Sequence, residues 1–240
     1  MEFLSVTAVR YRTGDLVGKG LALVSLAPIF LIAQLAALVA VRRDWPTLVL
    51  LLGQLLNDQL NGLVKHQVRQ PRPLDCELES YGMPSNHAQF MGFLLSFTGL
   101  YLCWRCACSR LEKAFWATGT AGLTVLVCIS RVYLLYHTTE QVLVGLGLGF
   151  LAGAGWFLAF TFHLESLGAA AAASWVGRAL LLKDHSRVRN VAVFEWESLQ
   201  QLRATSGGPA SIGGGQGFEA SGNELPRQQR RRRRPAGSAT

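Results

Sequence analysis

The sequence predicts an all-α fold, a multi-pass bundle of membrane-spanning helices, from its composition and from five long apolar stretches. Half of the 240 residues are hydrophobic and 16% are charged, whereas soluble domains usually carry about 25% charged residues. A soluble core accounts poorly for five such stretches in a chain of this length. We therefore expect most of the chain to lie in a bilayer.

The five stretches differ in how well each one fits a membrane. A bilayer core needs about 20 apolar residues per helix, with a lower limit near 17. The first and last stretches are uncharged over 21 and 22 positions, whereas the third and fourth are uncharged over 17 and borrow flanking residues. The second is apolar at its start and polar towards its end. The predicted spans lie at about 21–41, 46–64, 88–108, 112–130 and 141–163.

Three further segments flank this predicted membrane domain of residues 21–163. Residues 1–20 are a mixed N-terminal segment, and the apolar run that follows is too long for a cleaved signal peptide. Residues 164–203 form a membrane-proximal segment, in which 167–182 offers a sixth candidate span. Residues 204–240 are rich in Gly, Ser, Ala and Pro, a composition typical of disorder.

The net charge of +8 is unevenly distributed. Residues 204–240 hold six Arg and two Glu, which is +4 and therefore half of the total. The Arg run 230–234 suits anionic lipid, nucleic acid or a retention receptor, but a solvated tail is the simpler interpretation and no nucleic-acid partner is expected. Basic residues in 42–45, in 105–113 and in the tail indicate a cytosolic C-terminus by the positive-inside rule.

Three clusters of charged and reactive residues lie in the loops 65–87 and 131–140 or at the helix ends beside them, on one side of the membrane. Their cations suit phosphate, because Arg binds phosphate oxygens through two N–H groups and Lys binds as a point charge. A helix start adds free backbone amides, and two imidazoles divide nucleophilic attack and protonation between them. The clusters are Lys65 with Arg72-Pro73, Pro84-Ser85-Asn86-His87, and Ser130-Arg131 with His137.

Each of these residues has a simpler interpretation when it is taken alone. A single Lys or Arg at a membrane interface is more often a snorkelling charge, and a single His is more often structural. A polar stripe in the second stretch indicates either contact between helices, which we favour slightly, or groups that position Lys65, with Asp58 as its electrostatic partner. The stripe has helical spacing and comprises Gln54, Asn57, Asp58, Asn61 and Lys65.

The five cysteines predict no disulfide framework, because their number is odd and four of them lie in or beside apolar stretches. Cys103, Cys106 and Cys108 superficially resemble zinc ligands, but no second ligand cluster accompanies them. We expect them to pack at a membrane end of the bundle, with acylation as the alternative.

The joint pattern resembles the type 2 phosphatidic acid phosphatase (PAP2) superfamily, which includes glucose-6-phosphatases and vanadium haloperoxidases. Its ordered signatures are Lys-x6-Arg-Pro, Pro-Ser-x-His and Ser-Arg-x5-His, and the three clusters match them. Longer stretches around 81–91 and 130–138, and a later one at 182–184, 189–191 and 194–195, are similar to the dolichyldiphosphatases within it. The resemblance covers roughly residues 5–200 and implies a bundle of the PAP2 and vanadium haloperoxidase type.

The resemblance implies a metal-independent phosphatase without a cofactor. His137 would be the nucleophile that forms a phosphohistidine, and His87 would be the general acid and then the base for water. The phosphate-binding residues would be Lys65, Arg72, Ser85, Asn86 and Arg131. The implied substrate is a polyisoprenoid diphosphate lipid, dolichyl diphosphate. Its hydrolysis to dolichyl phosphate at the lumenal face of the endoplasmic reticulum membrane would recycle the carrier for protein N-glycosylation.

Two positions depart from the superfamily pattern. Many members have Gly where Asn86 stands. The usual Asp four residues after the nucleophile, which orients the imidazole, is replaced by Gln141, whose amide oxygen accepts a ring N–H but stabilises the cation less. Glu140 is the alternative support for His137. Competing functions are hydrolysis of another lipid phosphate or prenyl diphosphate, and a membrane transporter or scaffold without catalysis.

Overall fold

The computed structural model describes residue 9, residues 11–73 and residues 80–205. Within these ranges the chain is helical and has no β-strand, which confirms the all-α expectation. The tail expected to be disordered at 204–240 lies outside the described residues, except that its first two residues end the last helix. By its contacts the chain divides into residues 1–198, which contain the helix bundle, and residues 199–240.

Nine α-helices and one π-helical turn follow one another in the described ranges. The helices are α1 Leu16–Ser25, α2 Ala27–Arg42, α3 Trp45–Val68, α4 Asn86–Trp104, α5 Arg110–Tyr133, α6 Thr139–Ala159, α7 Glu165–Ala173, α8 Trp175–Ala179 and α9 Val191–Thr205. The π-helical turn Phe160–Leu164 joins α6 to α7.

The first predicted span is broken into α1 and α2. Asp15 caps α1, where its Oδ1 accepts a hydrogen bond from the N–H of Gly18 at 2.8 Å. Pro28 has no N–H to donate to the preceding turn, and the break falls at Leu26, between the two helices. The carbonyl of Ser25 lies at the C-terminus of α1, and its regular i+4 donor, the N–H of Ile29, donates instead to the carbonyl of Leu26 at 3.0 Å.

Side-chain caps fix where the longer helices begin. Asp44 caps α3, and capping boxes start α5 with Ser109 and Glu112 and α6 with Thr138 and Gln141. Such caps satisfy N–H groups that have no partner within the helix. The cap of α6 also fixes the position of Gln141 in the first turn of that helix.

Helix α4 packs most extensively against α6, along the stripe Gly145, Gly149 and Gly153. A Cβ atom at Gly149 would overlap the carbonyl of Gln89, and one at Gly145 would overlap the backbone of Ser85. The Gly-x-x-x-Gly repeat therefore provides a close contact between these two helices. The contact also brings the start of α4 against the start of α6.

An aromatic core holds the middle of the bundle together. Its buried members are Val49 of α3, Phe93 and Phe97 of α4, Phe157 of α6 and Phe160 of the π-helical turn. The rings of Phe97 and Phe157 meet edge to face, with centroids 5.8 Å apart. This geometry is favourable for aromatic pairs, so the core fixes α4 on α6 beyond the glycine stripe.

Three helical stretches in the described ranges are long and apolar enough to cross a bilayer: Leu16–Arg42, Arg110–Tyr133 and Thr139–Ala173. Helices α3 and α4 have sufficient length, but polar side chains lower their mean hydropathy, so the five-span topology stays a prediction. The sixth candidate span at 167–182 is not one helix, because α7 ends at Ala173 and Ser174 is extended before α8.

The membrane-proximal segment folds back on the start of α3. The N–H of Trp45 donates to the carbonyl of Lys183 at 2.9 Å, and the N–H of Lys183 donates to the carbonyl of Arg43 at 2.7 Å. Nearby, Cys106 and Cys108 are joined as a disulfide. The sequence did not indicate this pair: it predicted packing residues at a membrane end, with acylation as the alternative.

Candidate active site

The three sequence clusters converge at one end of the bundle. Lys65 lies in the last turn of α3, His87 in the first turn of α4, and Arg131 near the end of α5. Arg72 and His137 lie in the connections beside them, 3.1 Å apart at their closest nitrogens. The charges of Lys65, Arg72 and Arg131 act on both imidazoles, so the predicted residues share one site.

The hydrogen bonds of His137 select one form of its ring. Nδ1 lies 2.9 Å from the carbonyl oxygen of Gly82 and 3.2 Å from Oε1 of Gln141. Both partners are acceptors, so Nδ1 carries the proton. Nε2 then carries a lone pair, which accepts from Nη1 of Arg72 at 3.1 Å. This arrangement presents Nε2 as a nucleophile and holds the opposite side of the ring in place.

A tight turn after α5 carries His137 into this position. The N–H groups of Tyr136 and His137 both donate to the carbonyl of Arg131 at 3.1 Å. Leu135 has a φ of 58°, in the left-handed region. His137 is only 3% exposed. Burial, and after it the positive charges of Arg72 and Arg131, lower its pKa to about 3, so the ring is neutral at physiological pH.

Gln141 supports this site, although the shortest bond to the nucleophile comes from Gly82. The Nε2 group of Gln141 donates to the carbonyl of Pro71 at 2.8 Å and to Oε1 of Gln70 at 3.0 Å. Gln141 therefore connects His137 to the segment that carries Arg72. Glu140, the alternative considered from the sequence, is exposed.

Arg72 is held by the loop on the other side of the site. Its Nε and Nη2 donate to Oγ of Ser80 at 3.2 and 3.0 Å, and its Nη1 donates to the carbonyl of Tyr136 at 2.9 Å. The guanidinium is thus placed beside the nucleophile before any ligand binds. An Arg held in this way is suited to bind phosphoryl oxygens.

The start of α4 supplies hydrogen-bond donors. Ser85 is the N-cap of this helix and is fully buried, but its hydroxyl makes no capping bond. Within the described ranges its Oγ has no hydrogen-bond partner. Buried polar groups are normally paired, so this hydroxyl is available to a ligand. The first-turn amides of α4 add the partial positive charge of a helix N-terminus.

Two further cations surround this helix end. Arg131 is 6% exposed, and its guanidinium lies 4.2 Å from the ring centroid of Tyr136. Lys65 is half-buried, and burial together with the charges of Arg72 and Arg131 lowers its pKa to about 8, while Asp58 opposes the shift. The site therefore carries a surplus of positive charge that suits a phosphate anion.

The second imidazole, His87, faces the break between α1 and α2. Burial, followed by the charge of Arg131, lowers its pKa to about 3, and a hydrogen bond with the backbone of Ser25 opposes that shift. The free carbonyl at the end of α1 thus favours the protonated ring. Sequence reasoning gave no sign of this contact, because a backbone carbonyl has no residue signature.

The polar stripe of α3 divides between the two interpretations drawn from the sequence. Asn57 and Asn61 are buried and bond to Gln89 of α4, at 2.9 and 2.7 Å, which is the favoured contact between helices. Asp58 instead reaches the site, where its Oδ1 accepts from Nδ2 of Asn86 at 2.8 Å. The side chain of Asn86 is therefore committed to Asp58, and its helix-start amide is what it offers to a phosphate.

A cavity of about 250 Å³ adjoins His87. Its polar lining residues are Gln54, Asp58, Asn86 and His87, and apolar side chains from α2, α3 and α4 form the rest. Those apolar residues are Pro28, Ile29, Ile32, Leu55 and Phe90. Within residues 9, 11–73 and 80–205, no three His, Cys, Asp or Glu side chains gather as metal ligands would.

Comparison with known proteins gives consistent results. The family model described as "PAP2 superfamily" matches residues 45–165. The human protein named "Dolichyldiphosphatase 1" is 36% identical over 204 residues, covering 80% of this chain and 86% of that protein. "Lipid phosphate phosphatase gamma" of Arabidopsis thaliana is 33% identical over 85% of this chain and 93% of that protein. "Dolichyldiphosphatase" of Saccharomyces cerevisiae is 35% identical over 63% and 67%.

One solved structure resembles the fold. It is the crystal structure of a transmembrane PAP2 type phosphatidylglycerolphosphate phosphatase from Bacillus subtilis, with a TM-score of 0.52 and 24% sequence identity. The likeness covers 62% of this chain and 77% of that one. At this level of identity it supports the arrangement of helices alone.

Proposed function

We propose that this chain, which belongs to the PAP2 superfamily, hydrolyses the terminal phosphate of dolichyl diphosphate to give dolichyl phosphate and phosphate. The relatives and the family model support a lipid phosphatase that acts in a membrane. The main support for the proposal is the orientation of the His137 ring. Its Nδ1–H donates to the carbonyl of Gly82, and its Nε2 faces Arg72. Similarity to dolichyldiphosphatases of human and yeast origin supports the choice of lipid.

In the first step, the lone pair on Nε2 of His137 attacks the terminal phosphorus. The bond from phosphorus to the bridging oxygen breaks, and its electron pair leaves with dolichyl phosphate. The Nη1 group of Arg72 moves from Nε2 to a phosphoryl oxygen, which frees the nucleophile. Lys65 and Arg131 stabilise the charge of the five-coordinate transition state, as preorganised donors do in other phosphoryl-transfer sites.

His87 completes the cycle. The negative charge of a bound diphosphate opposes the cations that depress its pKa, so the ring becomes protonated when substrate binds. It donates its proton to the leaving oxygen and then accepts one from water. The resulting hydroxide oxygen attacks the phosphohistidine, the nitrogen–phosphorus bond breaks, and the electron pair returns to Nε2 of His137.

The acid is less critical for a diphosphate than for a phosphate monoester of an alcohol. A leaving phosphate is much less basic than an alkoxide and therefore needs less protonation. The apolar wall of the cavity beside His87 is suited to the first isoprene units of the leaving lipid. The choice of a polyisoprenoid diphosphate over a sphingoid-base phosphate rests on the similarity to dolichyldiphosphatases.

The proposed location is the endoplasmic reticulum membrane, with the active site in the lumen and the tail of residues 204–240 in the cytosol. Basic residues at the end of the bundle away from the site, such as Arg43, Arg105 and Lys113, support this orientation under the positive-inside rule. In that place the reaction would return dolichyl phosphate to protein N-glycosylation.

The proposal is tested by phosphate release from a panel of lipids presented to the purified protein. The panel comprises dolichyl diphosphate, farnesyl diphosphate, phosphatidate and sphingosine phosphate. We expect dolichyl diphosphate to have the highest kcat/KM and EDTA to have no effect. A higher kcat/KM for phosphatidate would favour the alternative that similarity to the Arabidopsis lipid phosphate phosphatase raises.

Variants test the mechanism on the same panel. His137→Ala should reduce phosphate release by at least about 10³-fold, because the nucleophile is lost. His87→Ala should cost less with a diphosphate, about 10–100-fold, for the reason of leaving-group basicity. His163→Ala is the matched control, since that exposed histidine lies outside the site. Activity abolished by EDTA, or retained by His137→Ala, would contradict the mechanism.

A further inference from the structure

A second cationic cavity lies at the opposite end of α4 from the active site. It has a volume of about 240 Å³ and is lined by Trp104, Arg105, Glu165, Ser186, Arg187 and Arg189. Helix α4 has 19 residues, which at 1.5 Å per residue separates its two ends by about 28 Å. The cavity is therefore independent of the catalytic residues.

Hydrogen bonds fix the walls of this cavity. The Nη2 group of Arg105 donates to Oε2 of Glu165 at 2.7 Å and to the carbonyl of Ser186 at 2.8 Å. The N–H of Ala107 donates to the carbonyl of Arg189 at 3.0 Å. The segment after α8 is thus attached to the end of α4 by its backbone, and the side chains of Ser186 and Arg189 remain available.

The hydroxyl of Ser186 indicates that the cavity is built for a ligand. Ser186 is 4% exposed, and its Oγ has no hydrogen-bond partner among the residues that the structure describes. Its own N–H is already used, since it donates to Oδ1 of Asp184 at 3.0 Å. A buried hydroxyl without a partner is unfavourable, and a ligand oxygen would satisfy it.

The charge of the cavity indicates what kind of ligand it holds. Glu165 neutralises Arg105 through their ion pair. Arg187 and Arg189 are exposed, and neither forms an ion pair with another described residue. Together with the carboxylate of Asp184, which accepts from the N–H of Ser186, they leave a surplus of one positive charge around the buried hydroxyl. Guanidinium groups and a hydroxyl are the donors that bind phosphate oxygens in proteins.

We propose that this cavity is a second phosphate-binding site, in which Arg187 and Arg189 bind the phosphate oxygens and Ser186 donates its hydroxyl hydrogen. The phosphate belongs either to the headgroup of an anionic phospholipid or to a free phosphate. Trp104, which is exposed at the rim, is a residue type enriched at the membrane interface, and its position suits the lipid source. The site is not part of the proposed reaction.

The experiment compares two double variants of the full-length protein that lose the same charge. Arg187→Gln with Arg189→Gln removes the cavity cations. Arg110→Gln with Arg178→Gln removes two exposed cations elsewhere. Native mass spectrometry measures retained phosphatidylglycerol, with diacylglycerol as the phosphate-free control, and thermal unfolding measures stabilisation by inorganic phosphate. The active site contributes equally in both variants, so it cancels from the comparison.

We expect the cavity double variant to lose at least tenfold in phosphatidylglycerol retention or in phosphate stabilisation, while the control double variant changes less than twofold. The arm that shows the loss identifies the source of the phosphate. Equal losses in both double variants, or no loss in either arm, would overturn the proposal. Unchanged phosphate release at the active site shows that the cavity variant is folded.

Ser186→Ala separates ligand binding from a structural role. Because no residue that the structure describes bonds to this hydroxyl, its removal should leave the unfolding temperature unchanged. Retention of the probe identified above should fall about two- to fivefold, as expected for one lost hydrogen bond. A fall in unfolding temperature with unchanged retention would show that the hydroxyl is structural and would refute its part in the site.

Discussion

Replacing Gln141 by a glutamate tests whether the amide, and not a carboxylate, is what this site requires. By the superfamily pattern a carboxylate four residues after the nucleophile should be favourable. Here the opposite is expected, because the Nε2 group of Gln141 donates to the carbonyl of Pro71 and to Oε1 of Gln70. Gln141→Glu places an oxygen against these two acceptors.

The magnitude follows from the bonds that change. Two hydrogen bonds, at 2.8 and 3.0 Å, each contribute about 1 kcal/mol net, and an acceptor left facing another acceptor adds to the loss. We therefore expect Gln141→Glu to lower the free energy of unfolding by about 2–4 kcal/mol at neutral pH. Phosphate release should fall about tenfold, since the segment that carries Arg72 is no longer held.

The loss of stability in Gln141→Glu should depend on pH in a definite direction. Gln141 is 1% exposed, so burial would raise the pKa of the introduced carboxyl above its unfolded value of about 4.3. At a pH between the unfolded pKa and the higher folded pKa of this carboxyl, the folded protein holds a proton that the unfolded chain has released. The stability of the variant, relative to the parent, is therefore greatest at low pH and falls as pH rises through this window.

Thermal unfolding in detergent from pH 5 to 8 measures this effect, and Gln141→Leu is the matched control. The leucine variant also loses both donor bonds but introduces no titrating group, so its difference from the parent should not change with pH. A glutamate variant as stable as the parent, with a flat difference and faster phosphate release, would refute the reasoning. That result would show that Gln141 acts mainly through its oxygen on His137.

Three other expectations follow from the geometry. Gly149→Ala should destabilise the protein by about 1–3 kcal/mol through overlap with the backbone of α4, whereas Gly147→Ala, with open space around it, should change neither stability nor phosphate release. Pro28→Ala should close the break after α1, withdraw the carbonyl that raises the pKa of His87, and move the alkaline limb of the kcat profile to lower pH. Since the pKa of Lys65 is lowered to about 8, kcat/KM should fall as pH rises through that value, and Lys65→Arg should move this limb upward.

The chemical groups of the site were predictable because each is a side chain of a specific type at a specific spacing. Lys65, Arg72 and Arg131 are cations at helix ends, where a membrane protein rarely places charge without a function. The structure brings them around the two imidazoles, as the sequence clusters indicated. The roles assigned to these residues stay proposals until the variants are measured.

The supporting contacts could not be predicted, because they are made by backbone atoms or depend on tertiary packing. The carbonyl of Gly82 gives His137 its shortest bond on Nδ1, and any residue type has a carbonyl. Gln89 lies inside an uncharged apolar stretch, and its pairing with Asn57 appears only when α3 and α4 are packed together. The break after Ser25 could be predicted only by knowing how Pro28 interrupts the first helix.

The glycine stripe and the catalytic residues are parts of one arrangement. Gly145 of α6 admits the backbone of Ser85, and the N–H of Ser85 donates to the carbonyl of Gln141 at 3.0 Å. The start of α4, which we propose binds phosphate, is therefore attached to the start of α6, which supports His137. The distance between His137 and the start of α4 is set by how closely α4 and α6 approach. A larger residue at Gly145 should therefore move the proposed nucleophile away from the proposed phosphate-binding groups.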